Sequence, residues 1–163
     1  MNTRVCGGCT ACCLTHEILE IKKPAGKLCP HCAPGVGCNI YDHRPLGCSL
    51  FRCDWLKGSI IESSRPDRSG VVFDSCSRKD TPGQKVLFET LLQIYEAIEG
   101  ALDTSDVWEV TWATLDIRIH VMHLYLSGRK VLFLPEGADL PQKTRRFITK
   151  GGFEITPYPI IRP

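Results

Sequence analysis

The chain lacks an apolar run approaching the roughly 20 residues that a membrane-spanning helix needs, so no membrane partner is expected. Met1 is not followed by the basic stretch and apolar core of a secretory signal, and the expected compartment is the cytoplasm. An excess of charge is missing too. The formal net charge is +2 over 163 residues, too little to draw in nucleic acid by electrostatics alone. The phosphate-cradling pattern G-x-x-x-x-G-K-[ST], the dinucleotide fingerprint G-x-G-x-x-G and the nucleophile elbow G-x-S-x-G are all absent. No catalytic constellation emerges, and whether the chain is an enzyme is left open.

What the chain has in excess is cysteine. Ten are present, and nine fall between Cys6 and Cys53, in CGGCTACC, CPHC, CNIYDHRPLGC and FRC; Cys76 stands apart. Packing does not call for nine thiols in one short segment, which leaves crosslinking or metal binding. Disulfides are rare in the cytosol, so metal thiolates or redox groups are the expected use.

The expected fold class is α+β: an irregular cysteine-rich metal-binding module at 1–58, a connector at 59–80, and a small α+β region at 81–163 packed against the module. Glycine and proline punctuate 1–58 every few residues. Only Leu14 to Ile21 reads as a helix or strand there, so bound metal would have to organise the segment. Val71-Val72-Phe73 reads as a strand. Thr81, Pro82 and Gln84 form a capping signal for a helix with Leu87, Leu91, Ile94 and Ile98 on one face, stopped at Gly100. Trp108, Val110 and Trp112 alternate as in a half-buried strand. Leu115 to Leu126 fits both periods and is assigned to helix. A strand is expected at Val131 to Leu134, a basic helix at Asp139 to Lys150, a last strand at Phe153 to Thr156, and an extended proline-containing tail.

Cys6-x-x-Cys9 and Cys29-x-x-Cys32 are metal knuckles whose spacing suits a tetrahedral Cys₄ zinc site. Cys12 extends the first knuckle to Cys6-x-x-Cys9-x-x-Cys12, the spacing that wraps three corners of an iron–sulfur cluster, and Cys29-Pro30 supplies a remote fourth. The same residues thus support two partitions, with Cys13, Cys38, Cys48 and Cys53 left for a second site or a mixed ligand set.

The run CxxCxxCC at Cys6, Cys9, Cys12 and Cys13, then C-x-I-Y-x-x-R-P-x-x-C from Cys38 to Cys48 and Phe51-x-Cys53, resembles the bacterial CxxCxxCC cysteine-cluster family of zinc- or iron-chelating domains. The resemblance covers about residues 6–55 and includes Ile40, Tyr41, Arg44 and Pro45. It implies metal chelation through these cysteines, and flagellin lysine methylases carry a similar cluster. It names neither the metal nor a reaction.

A thiolate-bound metal group is an anion that needs cations and N–H donors around it. Arg44 is the expected partner, through its planar donor fork. Tyr41 would shield the site. His31 could replace a thiolate, and His43 is comparable. His120 and His123 would share a helix face, in the core or on the surface. His16 carries no signal of its own. Lys143, Arg145, Arg146 and Lys150 read as a solvated helix face.

Three functional readings follow. The first is a protein that chelates zinc or a [4Fe-4S] cluster through its cysteines. The second is a redox or methyltransferase-associated protein using the cluster, which would need a partner to complete catalysis. The third is a zinc-ribbon interaction adaptor, disfavoured by the near-neutral charge.

Overall fold

Five strands pair into one sheet, and the cysteine-rich stretch packs on the outer strand of that sheet. The computed structural model describes residues 4–77 and 87–158. The first part is built of short pieces. Helix α1 (Ala11–Thr15) leads into a two-stranded hairpin, β1 (Cys32–Ala33) and β2 (Gly37–Cys38), followed by α2 (Leu46–Leu50), α3 (Asp54–Lys57) and α4 (Pro66–Ser69). The sheet follows in chain order: β3 (Val71–Ser77), β4 (Thr90–Glu96), β5 (His120–Leu124), β6 (Lys130–Phe133) and β7 (Phe153–Thr156). The pairs β3–β4 and β5–β6 are antiparallel. The parallel pairs β4–β5 and β6–β7 are joined by crossovers that carry α5 (Ser105–Asp116) and α6 (Gln142–Lys150). Among the described residues the class is mixed α and β, as expected.

Successive strand residues face opposite ways, so the sheet has two cores. Val121, Val131 and Phe133 pack with Val107 and Leu115 of α5. Met122 and Leu132 pack with Leu140 and with Ile148 of α6. The cysteine-rich region covers the β3–β4 end of the α6 face, where His16 lies against Tyr95 at 4.2 Å.

Four expectations hold in kind: the strands at Val71, Val131 and Phe153, and the basic helix, which starts at Gln142. Its Lys143, Arg145, Arg146 and Lys150 are exposed. Three fail. The helix expected from Thr81 to Gly100 begins outside the described residues, and its apolar face at Leu91 and Ile94 belongs to strand β4, whose Leu92, Ile94 and Glu96 are buried. β4 lies between β3 and β5 and is covered on both faces, which erases a clean alternation. The strand expected at Trp108 to Trp112 is α5 instead. Val107, Thr111 and Leu115 are buried at helical spacing, and the rings of Trp108 and Trp112, four apart, meet at 5.2 Å. The helix assigned to Leu115–Leu126 is strand β5 after a sharp stop. Arg118 takes a left-handed φ of 68°, and the N–H groups of Arg118 and Ile119 close back on Leu115 and Thr114. Such a stop usually carries glycine.

His120 and His123 are therefore on opposite faces of a strand. His120 stacks on Phe88. His123 is fully buried beside Trp108 and Phe133, with Thr111 Oγ1 at 2.8 Å from Nε2. Burial, with a smaller push from Arg129, holds its pKa at about 4 instead of 6.5. Between those values the unfolded chain takes up a proton that the native state refuses. Stability is therefore full above pH 6.5, falls as the pH drops toward 4, and levels below. At about 1.4 kcal/mol per unit, the loss is on the order of 3 kcal/mol. Urea midpoints measured from pH 7 to pH 4 should fall more steeply for the wild type than for His123→Leu; parallel slopes would remove His123 as the cause.

Candidate metal centre

Two turns closed by the same kind of hydrogen bond start the site. The N–H of Cys9 donates to Cys6 O at 2.9 Å, and that of Cys32 to Cys29 O at 3.0 Å. Each C-x-x-C thus closes as a short turn through its backbone. Cys29 N–H then donates to Cys13 O at 3.0 Å, which ties the second knuckle to α1. Glycine lets the loops meet backbone to backbone. A Cβ on Gly8 would lie 2.5 Å from Gly35 O, and Gly37, at φ 143°, has Gly7 O 3.3 Å from its would-be Cβ. Gly8→Ala should therefore push the Cys6–Cys9 loop off the hairpin. Overpacking of this kind costs about 1–3 kcal/mol. Chemical denaturation measures it, and an unchanged midpoint would show that the two loops need not touch.

The loops enclose a cavity of about 270 Å³. Eight cysteines line it: Cys6, Cys9, Cys12, Cys13, Cys29, Cys38, Cys48 and Cys53. Cys32 and Cys76 do not. All ten are free thiols. Among the described residues no group of three or more Cys, His, Asp or Glu side chains is arranged to hold a metal ion as the side chains stand. Tyr41, Arg44, His16 and His31 share the cavity wall, while His43 lies outside it. Tyr41 is 49% exposed and serves as a platform: the Arg44 guanidinium lies 3.7 Å from its ring centre.

Burial governs the thiols. It pushes the Cys6, Cys48 and Cys53 thiols up, and Cys32 to about 11. Cys13 is raised further, chiefly by its hydrogen bond to Cys12 and by burial. Empty of metal, these groups keep their protons at neutral pH, so a cation that binds them must displace protons. Fixed cations already work in that direction. Arg44 and Arg52 lower Cys6, and Lys23 lowers Cys13. Arg44 Nε is buried without a hydrogen-bond partner. A donor left over in a wall of thiols fits an anionic, thiolate-bound group, and so does the donor set itself.

Lys23 and His16 were not legible as site residues. Lys23 is only 4% exposed, and its ammonium donates to the carbonyls of Leu14 (3.0 Å) and His16 at the end of α1. A cation there suits the helix C-terminus and sits close enough to Cys29, Cys13, Cys12 and Cys48 to feel their charge. Nothing in Ile21-Lys22-Lys23-Pro24 distinguishes the buried lysine from its exposed neighbour. Cys76 lies apart on β3, with Asp74 Oδ2 at 3.3 Å and the Gln93 amide at 3.2 Å, its thiol pushed up to about 11 by burial and by Asp74.

Compared with known family models, curated proteins and solved structures, the chain matches none.

Proposed function

We propose that the chain binds metal through the thiols of this cavity, as a polynuclear iron–sulfur or zinc–thiolate group. The observation that carries the reading is the membership of the cavity wall. Cys6, Cys9, Cys12 and Cys29, the four positions of the iron–sulfur partition, all line it, whereas Cys32 of the zinc-ribbon partition does not. Size supports the same choice. A closed Cys₄ zinc ion leaves no room inside its ligands, and about 10–15 Å³ already holds a water, against about 270 Å³ in this cavity. The resemblance of residues 6–55 to CxxCxxCC chelating domains agrees with it.

Bound there, an iron–sulfur group supplies electron transfer or Lewis acidity. The chain's own residues hold and tune it. The thiols give up their protons to bind. Arg44, Arg52 and Lys23 offset the resulting negative charge. Phe51 and Leu56 line the wall with apolar surface and limit the entry of water.

Anaerobic purification with elemental and sulfide analysis tests it. Iron with labile sulfide, and absorption near about 400 nm, is the expected result. Colourless protein with stoichiometric zinc would favour the zinc reading, and a metal-free product that takes up neither metal would overturn both.

A further inference from the structure

The two C-x-x-C turns are tied to different parts of the chain. The strand of chain that enters the first turn runs beside the start of α3. Arg4 Nη1 donates to Trp55 O at 2.8 Å. Arg65, whose guanidinium lies 5.3 Å from the Trp55 ring centre, donates to Cys6 O at 3.0 Å. These bonds put Cys53, at the entry to α3, beside the Cys6–Cys9 turn. Burial apart, the thiols that raise the Cys53 thiol are Cys6 and Cys9. The Cys29–Cys32 turn has other partners. Cys29 N–H donates to Cys13 O at 3.0 Å. Cys32 stands directly opposite Cys38 in the β1–β2 hairpin, which puts their side chains on one face. Helix α2 is drawn to the same side by the Gly47 N–H, which donates to Glu20 Oε1 at 2.8 Å. Burial apart, the thiols that raise the Cys48 thiol of α2 are Cys13, Cys29 and Cys38.

The cations divide in the same way. Arg44 and Arg52 act on Cys6, whereas the buried Lys23 sits in the fields of Cys29, Cys13, Cys12 and Cys48. Cys13 acts on Cys6 as well, so the two groups adjoin within one cavity. We propose that the cavity holds two metal positions, one at Cys6, Cys9 and Cys53 and the other at Cys13, Cys29, Cys38 and Cys48, so that the polynuclear group has two ends with different ligand sets. This rests on the metal-binding reading above. Four thiolates close a tetrahedral ion, while three leave one position open. Among the described residues no three of these side chains converge as they stand. The backbone bonds fix which thiols are neighbours, and rotation about χ1 closes each set on its ion.

The test uses the full chain, reduced and metal-free, with ¹¹³Cd²⁺ as the probe, a soft ion suited to thiolates whose NMR shift follows the number of sulfur ligands. Two equivalents should bind and give two signals, with the four-thiolate signal further downfield. Cys53→Ser should remove the three-thiolate signal and halve the uptake. Cys48→Ser should remove the four-thiolate signal instead. In each variant the signal that stays verifies that the chain has folded. One signal from the wild type, loss of the same signal in both variants, loss of both signals in either variant, or loss of none would overturn the division and leave metal binding standing. No uptake of cadmium by the wild type would overturn the metal-binding reading and this proposal with it.

Discussion

Stripping metal from the anaerobically purified chain is expected to remove amide-exchange protection from residues 6–53 and to leave the β3–β7 sheet protected. The two regions differ in what holds them. The longest helices before α4 are five residues, and isolated helices below about 12–15 residues are marginal in water. The cysteine-rich region buries little of its own: Ala11, Ile18, Cys29 and Trp55 are its buried apolar residues. It also exposes Leu19, Leu46 and Leu50 at 66–76%. Structural thiolate sites supply about 10–16 kcal/mol of binding free energy that is also folding free energy, far more than such short elements generate. The sheet has its own two cores, with Ile94, Leu132 and Val121 fully buried. Hydrogen exchange with and without a strong chelator reads both regions at once. Unchanged exchange between Cys29 and Cys48 would mean that the loops hold themselves.

The second large effect lies at the seam between these regions. Asp54 is the residue after Cys53, and its carboxylate is 2% exposed. Oδ2 accepts from the Ser75 N–H at 3.0 Å and from the Ser75 hydroxyl at 2.6 Å, while Oδ1 meets Lys57 Nζ at 3.1 Å. Lys57 in turn donates to Ser75 O at 3.2 Å. One residue of the edge strand β3 thus has both outward backbone groups satisfied by α3, as a sixth strand would do. That contact covers the sheet edge against pairing with another chain. Asp54→Ala removes the acceptor of both Ser75 hydrogen bonds, while Lys57 keeps Asp74 at 3.5 Å and the Ser75 carbonyl. Hydrogen bonds to a charged group are worth about 1.5–3 kcal/mol. A single cooperative transition shifted by that amount is the expected outcome of chemical denaturation. A loss under about 1 kcal/mol, the range of exposed pairs, would show that water replaces the carboxylate at this edge.

By itself the sequence determined the density of thiols, the two C-x-x-C turns and the elements with one clean period. The C-x-x-C turns close as their spacing demands. β6 and α6 are bounded by Gly128, Gly151 and Gly152, and each carries one unambiguous pattern. Where the pattern fitted two periods, only the tertiary structure decided. Leu91, Ile94 and Ile98 suit a helix face, yet a strand forms there because β3 and β5 offer backbone partners on both sides. Trp108 and Trp112 alternate as in a strand, yet a crossover between two parallel strands has room for a helix, which buries Trp112 and packs Trp108 against the core. The site divides in the same way. The C-x-x-C turns are legible because spacing along the chain sets how a short turn closes. Lys23 and Asp54 are not, because a cation and a carboxylate acquire their roles only from what folding leaves beside them.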